Sequence, residues 1–334
     1  MYLFDKNLDE EVVVVAEIGV NHEGNFDKAI EMVNLAAESG ADAVKFQTYD
    51  PWRYASTSDM DRFERVSQFG LSEEEFALLA KESDRVGIGF FSTPLEESSV
   101  PFVDSLSPVI KIASPDMNFE PTIRRAAATG KPLIVSTGLG TPEEIDKTLS
   151  WIQEEIGTNE LQERVVLLHC VSAYPTPLNE INLLSIPFLD QRYPVHVGFS
   201  DHTIGLQAAR AAIALGATVV EKHFTDDNNR VGPDHPFSMT PSSWKEMVER
   251  TRELEYALGS SEKNVVENEK DTVLVQRRCL RAAKTIQAGT VITREMIDVL
   301  RPAPDHSILP YQISEVVGSK VTENVQAGDH FRWT

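Results

Sequence analysis

Five ionisable side chains, each just after a short apolar run, are the best candidates for chemistry: Glu17, Lys45, Lys111, His202 and His223. Two lysines brought to one place would bind a phosphate and a carboxylate, because each ammonium is a point charge and nearby hydroxyls donate the remaining hydrogen bonds. The alternative for either lysine is an ion pair with a buried carboxylate, and Glu17 could be such a partner. The residue types alone leave both interpretations open.

The two histidines follow consecutive apolar runs, so they would end neighbouring strands if those runs form one sheet. Two imidazoles with open coordination positions make a catalytic metal site. Nitrogen ligands favour Mn²⁺, Co²⁺ or Zn²⁺ over Mg²⁺, which prefers oxygen. The alternative is a pair of strand-end histidines that only hydrogen-bond.

The apolar runs alternate with amphipathic stretches up to about Leu258, a pattern typical of a parallel sheet with helical crossovers. The predicted strands are Val12–Ala16, Ala43–Phe46, Ile88–Phe91, Val109–Ile112, Leu133–Val135, Val165–Leu168, Val195–Phe199 and Thr218–Val220. The clearest predicted helices are Phe26–Glu38, Ser72–Arg85, Thr141–Glu155, Gly205–Leu215 and Ser242–Leu258. Eight such units in roughly 250 residues are the number and size of a (β/α)8 TIM barrel.

A barrel would bring the carboxyl ends of all eight strands to one mouth. Polar residues at these ends are Glu17, Lys45, Gln47, Thr93, Lys111, Ser114, Ser136, Ser172, Tyr174, Ser200, His202 and His223. Each hydroxyl taken singly could equally cap a loop. The other architecture considered, an open doubly wound sheet, is not supported, because the segment 19–24 lacks the GxGxxG phosphate-binding spacing.

The sequence changes character after Leu258. Residues 259–271 are charged and polar with no apolar period, which predicts a linker. Beyond them, a strand-like stretch at Val273–Ala283 and two similar turn sequences indicate a β-rich module near the lower size limit for independent stability. We therefore expect a catalytic barrel at residues 1–258, a linker at 259–271 and a small domain at 272–334.

Charge and composition exclude several classes of function. The net charge of −21 makes nucleic acid and anionic lipid poor partners, so an anionic substrate would need local cations. The first eleven residues lack a basic segment, and no apolar run is long enough to span a bilayer, so neither a secretory signal nor a membrane span is expected. Cys170 and Cys279 form no disulfide or metal pattern, which fits a reducing cytoplasm.

The motifs in this order resemble the sialic acid (nonulosonic acid) synthase family from about residue 12 to the end. The stretches that carry the resemblance are Glu17–Gly24, Val44–Thr48, Phe91–Pro94, Lys111–Ser114, Ser136–Gly138, Tyr174–Pro177, Gly198–Thr203 and His223–Thr225. The C-terminal segment resembles the antifreeze-like, or SAF, domain of that family. The combination is far more specific than any one motif.

The resemblance implies a transferase reaction in which phosphoenolpyruvate condenses with the open-chain aldehyde of a 2-acetamido sugar. Water adds, and phosphate leaves by C–O cleavage. The product would be a sialic-acid-like nonulosonate. N-acetylmannosamine is one candidate sugar, and a diacetamido-dideoxy hexose, giving legionaminate or pseudaminate, is another.

The resemblance also assigns roles position by position. Lys45, Thr93, Lys111, Ser114, Ser136 and Ser200 match the phosphoenolpyruvate contacts. His202 and His223 match ligands of a divalent metal, with Mn²⁺ expected and Co²⁺ or Mg²⁺ as alternatives. Glu17 matches the proton-handling carboxylate. The sugar contacts would be Gln47, Tyr174, Asp234 and, from the SAF domain, Arg301.

Three positions near the expected sugar end differ from part of the family. Ser172 replaces an asparagine of some relatives, Asp116 replaces a glutamate, and His235 is present in only some of them. Substrate choice is made at this end, so these differences bear on the identity of the sugar.

The family arrangement implies a homodimer in which the SAF domain of one chain covers the barrel of the other. A polar linker could carry the module away from its own barrel. A related enzyme making a 3-deoxy-2-ulosonic acid from an aldose phosphate would lack this module and need a second phosphate site, for which no basic cluster is left. A non-catalytic carbohydrate-binding protein is disfavoured because all five candidate chemical residues are present.

Overall fold

Eight parallel strands close into a barrel in the first of two compact units of the chain. The computed structural model describes residues 1–333, apart from the side chain of Thr158. The first unit spans Met1–Gly259, and the second begins at Ser260. The barrel strands are β3 Val13–Gly19, β4 Ala43–Thr48, β5 Gly89–Pro94, β6 Ile110–Ile112, β7 Leu133–Ser136, β8 Val165–Cys170, β9 His196–Asp201 and β10 Val219–His223. All eight predicted strands are present, and the predicted TIM-barrel fold is confirmed.

The barrel closes where β10 pairs with β3, with His223 opposite Glu17. Side chains alternate along each strand, so one set fills the barrel and the other packs against the surrounding helices. Val13, Val15 and Phe91 belong to the interior cluster. Val14 and Val44, from the alternate set, pack in a cluster with helix residues. This double burial explains the near-continuous apolar strands of the sequence.

A short hairpin closes the amino end of the barrel. It comprises β1 Tyr2–Leu3 and β2 Lys6–Asn7. Phe4 lies with its ring centroid 5.3 Å from that of Phe91. A Cβ on Gly89 would sit 2.2 Å from the Phe4 ring, so the hairpin can approach only because Gly89 lacks a side chain. The hairpin thus fills the amino end of the barrel.

The helices of the first unit surround the barrel. They are α1 Phe26–Glu38, α2 Pro51–Tyr54, α3 Met60–Gln68, α4 Glu73–Val86, α5 Val100–Leu106, α6 Glu120–Ala127, α7 Pro142–Ile156, α8 Leu161–Arg164, α9 Ser185–Arg192, α10 Gln207–Ala214 and α11 Pro241–Leu258. Capping boxes begin α4 at Ser72 and α7 at Thr141, as the sequence indicates. No helix within residues 1–333 is long and apolar enough to cross a bilayer.

The second unit contains α12 Lys270–Gln276, β11 Cys279–Ala282, β12 Ile297–Leu300 and α13 Ile313–Val316. Strands β11 and β12 pair antiparallel, and a small core that includes Leu280, Ile308 and Phe331 packs beneath them. The predicted strand at Val273–Ala283 is wrong in its first part, where the chain is helical up to Gln276. Its β-branched residues suggested a strand, but Leu274 and Val275 are exposed and do not form a buried strand face.

Candidate active site

A cavity of about 200 Å³ opens at the carboxyl end of the barrel. Its lining residues are Glu17, Lys45, Gln47, Lys111, Ala113, Ser114, Pro115, Ser136, Cys170, Tyr174, Ser200, His202, Glu221, His223 and Asp234. The structure thus brings most of the predicted site residues to one place. Of the others, Thr93 lies beneath the ammonium of Lys45, at 3.3 Å from its Nζ. Arg301 belongs to the second unit.

A buried network of charges forms the inner wall of this cavity. The Lys45 Nζ lies 2.9 Å from Glu17 Oε2 and 3.6 Å from Glu221 Oε1. The Lys111 Nζ lies 3.7 Å from the same Glu221 oxygen and donates a hydrogen bond of 2.7 Å to Ser136. Every side chain of the network is buried. Lys45 therefore forms the ion pair that was considered as the alternative to anion binding. Lys45 nevertheless also lines the cavity.

Glu221 is the residue at the centre of this network that the sequence analysis missed. One of its carboxylate oxygens lies near both lysines and accepts a 3.1 Å hydrogen bond from Ser200, while the other has no hydrogen-bond partner. The alternation of side chains along a strand could have revealed Glu221. It lies two residues before His223 on β10, so both side chains must lie on the same face of the strand. Lys222 points the other way and pairs with Asp201 at 2.8 Å.

The network separates the protonation behaviour of its two carboxylates. Burial and the charge of Glu221 raise the pKa of Glu17, although Lys45 opposes this. Burial also disfavours the charged form of Glu221, but Lys111 and Lys45 outweigh it and lower the pKa of that carboxyl. Two carboxylates whose pKa values are pushed apart suit different roles, one a fixed charge and the other a proton carrier. Glu17 is the carboxyl of this pair whose pKa is raised.

Hydroxyl groups cover the Lys111 side of the cavity. Ser114 accepts a 3.1 Å hydrogen bond from the amide of Gly138. A Cβ on Gly138 would lie 2.6 Å from Ser172 Oγ and 2.8 Å from Ser114 Oγ, so glycine is needed for three strand ends to converge. Ser172 has a buried hydroxyl oxygen without a hydrogen-bond partner, although it does not line the cavity itself.

The two candidate metal ligands lie side by side at the other end of the cavity. The ring centroids of His202 and His223 are 5.4 Å apart. His202 Nδ1 lies 2.9 Å from the carbonyl oxygen of Val171, which leaves Nε2 with its lone pair if Nδ1 carries the proton. The ring centroid of Tyr174 lies 4.3 Å from that of His202. Phe237 packs edge-on against His223, with 5.0 Å between the ring centroids. Phe237 is a further site residue that the sequence analysis missed.

These two imidazoles can hold a metal ion with open positions when both are neutral. Burial disfavours the charged form of His202, but its contacts with Cys170 and Val171 outweigh burial and raise its pKa. His223 Nδ1 is buried and has no hydrogen-bond partner, and burial together with nearby cations holds the pKa of His223 well below its usual range. Neutral imidazole is the form that binds a metal. Among residues 1–333, no group of three or more His, Cys, Asp or Glu side chains is arranged to hold an ion.

Asp234 borders the cavity next to the histidines. Its carboxylate lies 3.6 Å from His223 Nδ1, and burial followed by the charge of Glu17 raises its pKa to about 6. Gln47 donates a 3.1 Å hydrogen bond to Glu17 from the neighbouring strand. In the second unit, Arg301 is exposed and donates to the carbonyl oxygen of Gln276. Gln47 and Asp234 thus form part of the polar lining of the cavity.

Comparison with known proteins identifies the family. The NeuB family model matches residues 32–263, and the SAF domain model matches residues 277–334. This chain belongs to the NeuB family. As a NeuB family member it is 36% identical to the N,N'-diacetyllegionaminic acid synthase of Legionella pneumophila, over 96% of this chain and 93% of that protein. It is 33% identical to a pseudaminic acid synthase of Campylobacter jejuni, over 98% of both chains.

A solved structure extends the likeness to three dimensions. The N-acetylneuraminic acid synthetase of Leptospira borgpetersenii, in complex with citrate, superposes with a TM-score of 0.75 at 30% identity. The alignment covers 79% of this chain and 90% of that one. The resemblance to the sialic acid synthases and the presence of a SAF domain are confirmed.

The central place of Glu221 in this NeuB family member predicts a large loss of stability when its charge is removed. Glu221→Gln should lower the free energy of unfolding by about 3 kcal/mol, because two buried ammonium groups lose their shared partner. Urea denaturation followed by circular dichroism measures this loss.

The matched control is Glu253→Gln, which breaks an exposed ion pair with Arg250 on α11. Its effect on the free energy of unfolding should be far smaller, because an exposed ion pair contributes little to stability. Equal stabilities of the two variants would show that Glu221 does not balance the buried lysines.

Proposed function

We propose that this NeuB family member condenses phosphoenolpyruvate with the open-chain aldehyde of an N-acylated amino sugar and releases phosphate. The observation that carries the proposal is the convergence of two ammonium groups, two imidazoles and a carboxyl of raised pKa on one cavity. The products named for the Legionella and Campylobacter relatives belong to the same chemical class. The chain would thus act as a nonulosonate synthase.

Phosphoenolpyruvate would occupy the half of the cavity around Lys45 and Lys111. Their ammonium groups would neutralise its phosphate and carboxylate within a protein of net charge −21. Ser136 is already hydrogen-bonded to Lys111 and could turn its hydroxyl to the ligand. The remaining hydroxyls assigned to this ligand are Thr93, Ser114 and Ser200. Ser200 donates a hydrogen bond to Glu221, so it would link the carboxylate that pairs with the lysines to the bound anion.

His202 and His223 would hold a divalent metal, Mn²⁺ in the first instance, with Co²⁺ or Mg²⁺ as alternatives. When bound there, such an ion supplies a Lewis acid for the sugar aldehyde. The Val171 carbonyl would orient His202 for this role, because a hydrogen bond to one ring nitrogen fixes the direction of the other, metal-binding nitrogen. Tyr174 and Phe237 restrict the movement of both rings.

Glu17 would handle protons in the reaction. The π electrons of the C2–C3 double bond of phosphoenolpyruvate form the bond from carbon 3 to the aldehyde carbon, the aldehyde oxygen takes the carbonyl π pair and gains a proton, and carbon 2 is left electron-deficient. Water adds to carbon 2 and loses a proton. The resulting hydroxyl then loses its proton and becomes the keto group as the bond from carbon 2 to the phosphate oxygen breaks and phosphate leaves with that electron pair. A carboxyl whose pKa is raised by burial can give and take protons near neutral pH, and Glu17 lies between Lys45 and Gln47 in the cavity wall.

Gln47, Tyr174 and Asp234 would contact the sugar, with Ser172 behind them and Arg301 binding its acyl group. The sugar would be N-acetylmannosamine or a related compound. A diacetamido-dideoxy hexose is the alternative favoured by the names of the legionaminic and pseudaminic acid relatives. We place the enzyme in the cytoplasm, because both of its cysteines are unpaired and a reducing compartment keeps thiols free.

Phosphate release measures the proposed reaction directly. Protein freed of metal and resupplied with Mn²⁺ should release phosphate from phosphoenolpyruvate only when N-acetylmannosamine or the diacetamido-dideoxy hexose is present. His202→Ala should abolish turnover, whereas His196→Ala, at the other end of strand β9, should retain it.

Two results would refute this proposal. One is the absence of phosphate release with every sugar of the class. The other is full activity of His202→Ala in a preparation verified to contain no metal.

We further propose a homodimer in which the SAF module, residues 272–334, is exchanged through the linker at residues 259–271. Exposed apolar side chains on the connection between β8 and α9 offer a surface for a second copy, because Leu178 and Leu184 are 69% and 74% exposed. Phe188 lies in the same groove. Patches of this kind favour association. In such a dimer Arg301 would act on the partner subunit's cavity.

Mixed dimers distinguish exchange from action within one chain. A His202→Ala chain mixed with an Arg301→Ala chain should recover about a quarter of wild-type activity after random exchange, because one site of each mixed dimer is intact. A mixture of His202→Ala with Lys111→Ala should recover nothing, since both changes affect the barrel. No recovery in the first mixture, with mixed dimers present, would refute the exchanged arrangement.

A further inference from the structure

The segment that carries Asp234 is a long connection between β10 and α11, and it crosses the mouth of the barrel. We call residues 224–238 the strap. Val231, near its tip, is 93% exposed. Asp234 lines the cavity, whereas the next residue, His235, is fully buried and faces away from it. Asp234 of the strap therefore belongs to the site, whereas its neighbour His235 serves another purpose.

His235 joins the strap to the loop after β3. Its Nε2 lies 3.1 Å from Glu23 Oε1, a polar contact rather than a well-aligned hydrogen bond, and its Nδ1 lies 2.7 Å from Thr225 Oγ1. Arg230 donates a 2.8 Å hydrogen bond to the same Glu23 oxygen. One carboxylate oxygen thus contacts the strap at two points.

Further hydrogen bonds support this junction. Asn21, on the same loop as Glu23, donates to the carbonyl oxygen of Phe224 and to Ser238 Oγ, both at 2.9 Å. Asn228 donates two bonds of 2.7 Å within the strap, to the carbonyl oxygens of His235 and Ser238. Both ends of the strap are therefore fixed near the loop after β3.

The backbone of that loop is strained where it presents Glu23. Glu23 has φ of +55°, a left-handed conformation that costs a residue with a side chain roughly 1 kcal/mol or more. Gly24 follows with φ of +70°, and a Cβ there would lie 2.1 Å from the carbonyl oxygen of Gln68. The fold thus maintains an unfavourable conformation at the residue that contacts His235. Strain of this kind is concentrated at functional positions.

We propose that Glu23 and His235 are positioning residues that fasten the strap and thereby place the Asp234 carboxylate against the sugar. The inference rests on the proposed function, in which Asp234 contacts the sugar. Neither residue lines the cavity, so both would act through the backbone of the strap. The ion pairs of Lys45 and Lys111 are with Glu17 and Glu221, so the phosphoenolpyruvate end of the cavity should be unaffected by the fastening.

The test separates the two substrates kinetically. Glu23→Gln and His235→Asn should each raise KM for the sugar that is turned over, N-acetylmannosamine or the diacetamido-dideoxy hexose, by about 10-fold. KM for phosphoenolpyruvate should stay within about twofold. The double variant should be no worse than the poorer single variant, because both changes remove the same contact.

A matched control is Asp42→Asn, which removes a carboxylate bound to Arg252 at 2.7 Å near the amino end of the barrel. It should lower the unfolding temperature without changing KM for the sugar. Hydrogen–deuterium exchange gives a second readout that needs no turnover, and residues 226–234 should exchange faster in Glu23→Gln than in the wild-type protein.

The outcomes are distinguishable. A wild-type protein without turnover would refute the proposed function, and faster exchange in Glu23→Gln would then still support the fastening. An unchanged KM for the sugar, equal rises in both KM values, or unchanged exchange of the strap would overturn the proposal that Glu23 and His235 position Asp234.

Discussion

The pairing of two buried ammonium groups with one buried carboxylate is the constraint on which the site depends. Charged groups taken out of water are tolerated only when partners compensate them. Lys45 and Lys111 come from strands that are not neighbours, and Glu221 contacts both from β10, which is two strands from β4 and opposite β6 in the barrel. A closed barrel allows this contact, because side chains from strands that are not neighbours point into the same interior. The ion pairs in turn connect β4, β6 and β10 at the mouth of the barrel.

The same arrangement gives the cavity two chemically different ends. At one end, hydroxyl groups surround the lysines and suit an anion. At the other end, two imidazoles lie within 5.4 Å of each other beside Asp234. Glu17 lies between these two ends of the cavity, and burial and the charge of Glu221 raise its pKa. The proposed reaction between an anionic enol and a sugar aldehyde would use this division, with Glu17 handling protons at the boundary.

Much of the fold could be predicted because its signals are local. The eight apolar runs and the caps at Ser72 and Thr141 each specify their own element. Val273–Val275 shows the limit of this reasoning, since a β-branched run became helical where it had no sheet to join. The positions of Lys45, His202 and His223 followed from a general property of barrels, that strand ends converge.

What could not be predicted depends on pairs of residues distant in sequence. Glu221 was overlooked because it precedes the more conspicuous Lys222, and only the alternation of side chains reveals which of the two faces inward. Phe237 and the contact of Glu23 with His235 arise from the path of the strap, which no local pattern describes. The Lys45 ion pair was foreseen only as an alternative to anion binding, whereas the structure allows a single lysine to serve both purposes.

The affinity for phosphoenolpyruvate tests the central claim most directly, that this lysine pair is the anion site. Isothermal titration calorimetry should show binding to the wild-type protein without any sugar. Lys111→Ala should weaken it by about 30-fold, corresponding to about 2 kcal/mol for a charge-assisted contact. Lys131→Ala, which removes an ammonium bound to the carbonyl of Ser107 outside the cavity, should leave the affinity unchanged. Undiminished affinity in Lys111→Ala would contradict the account.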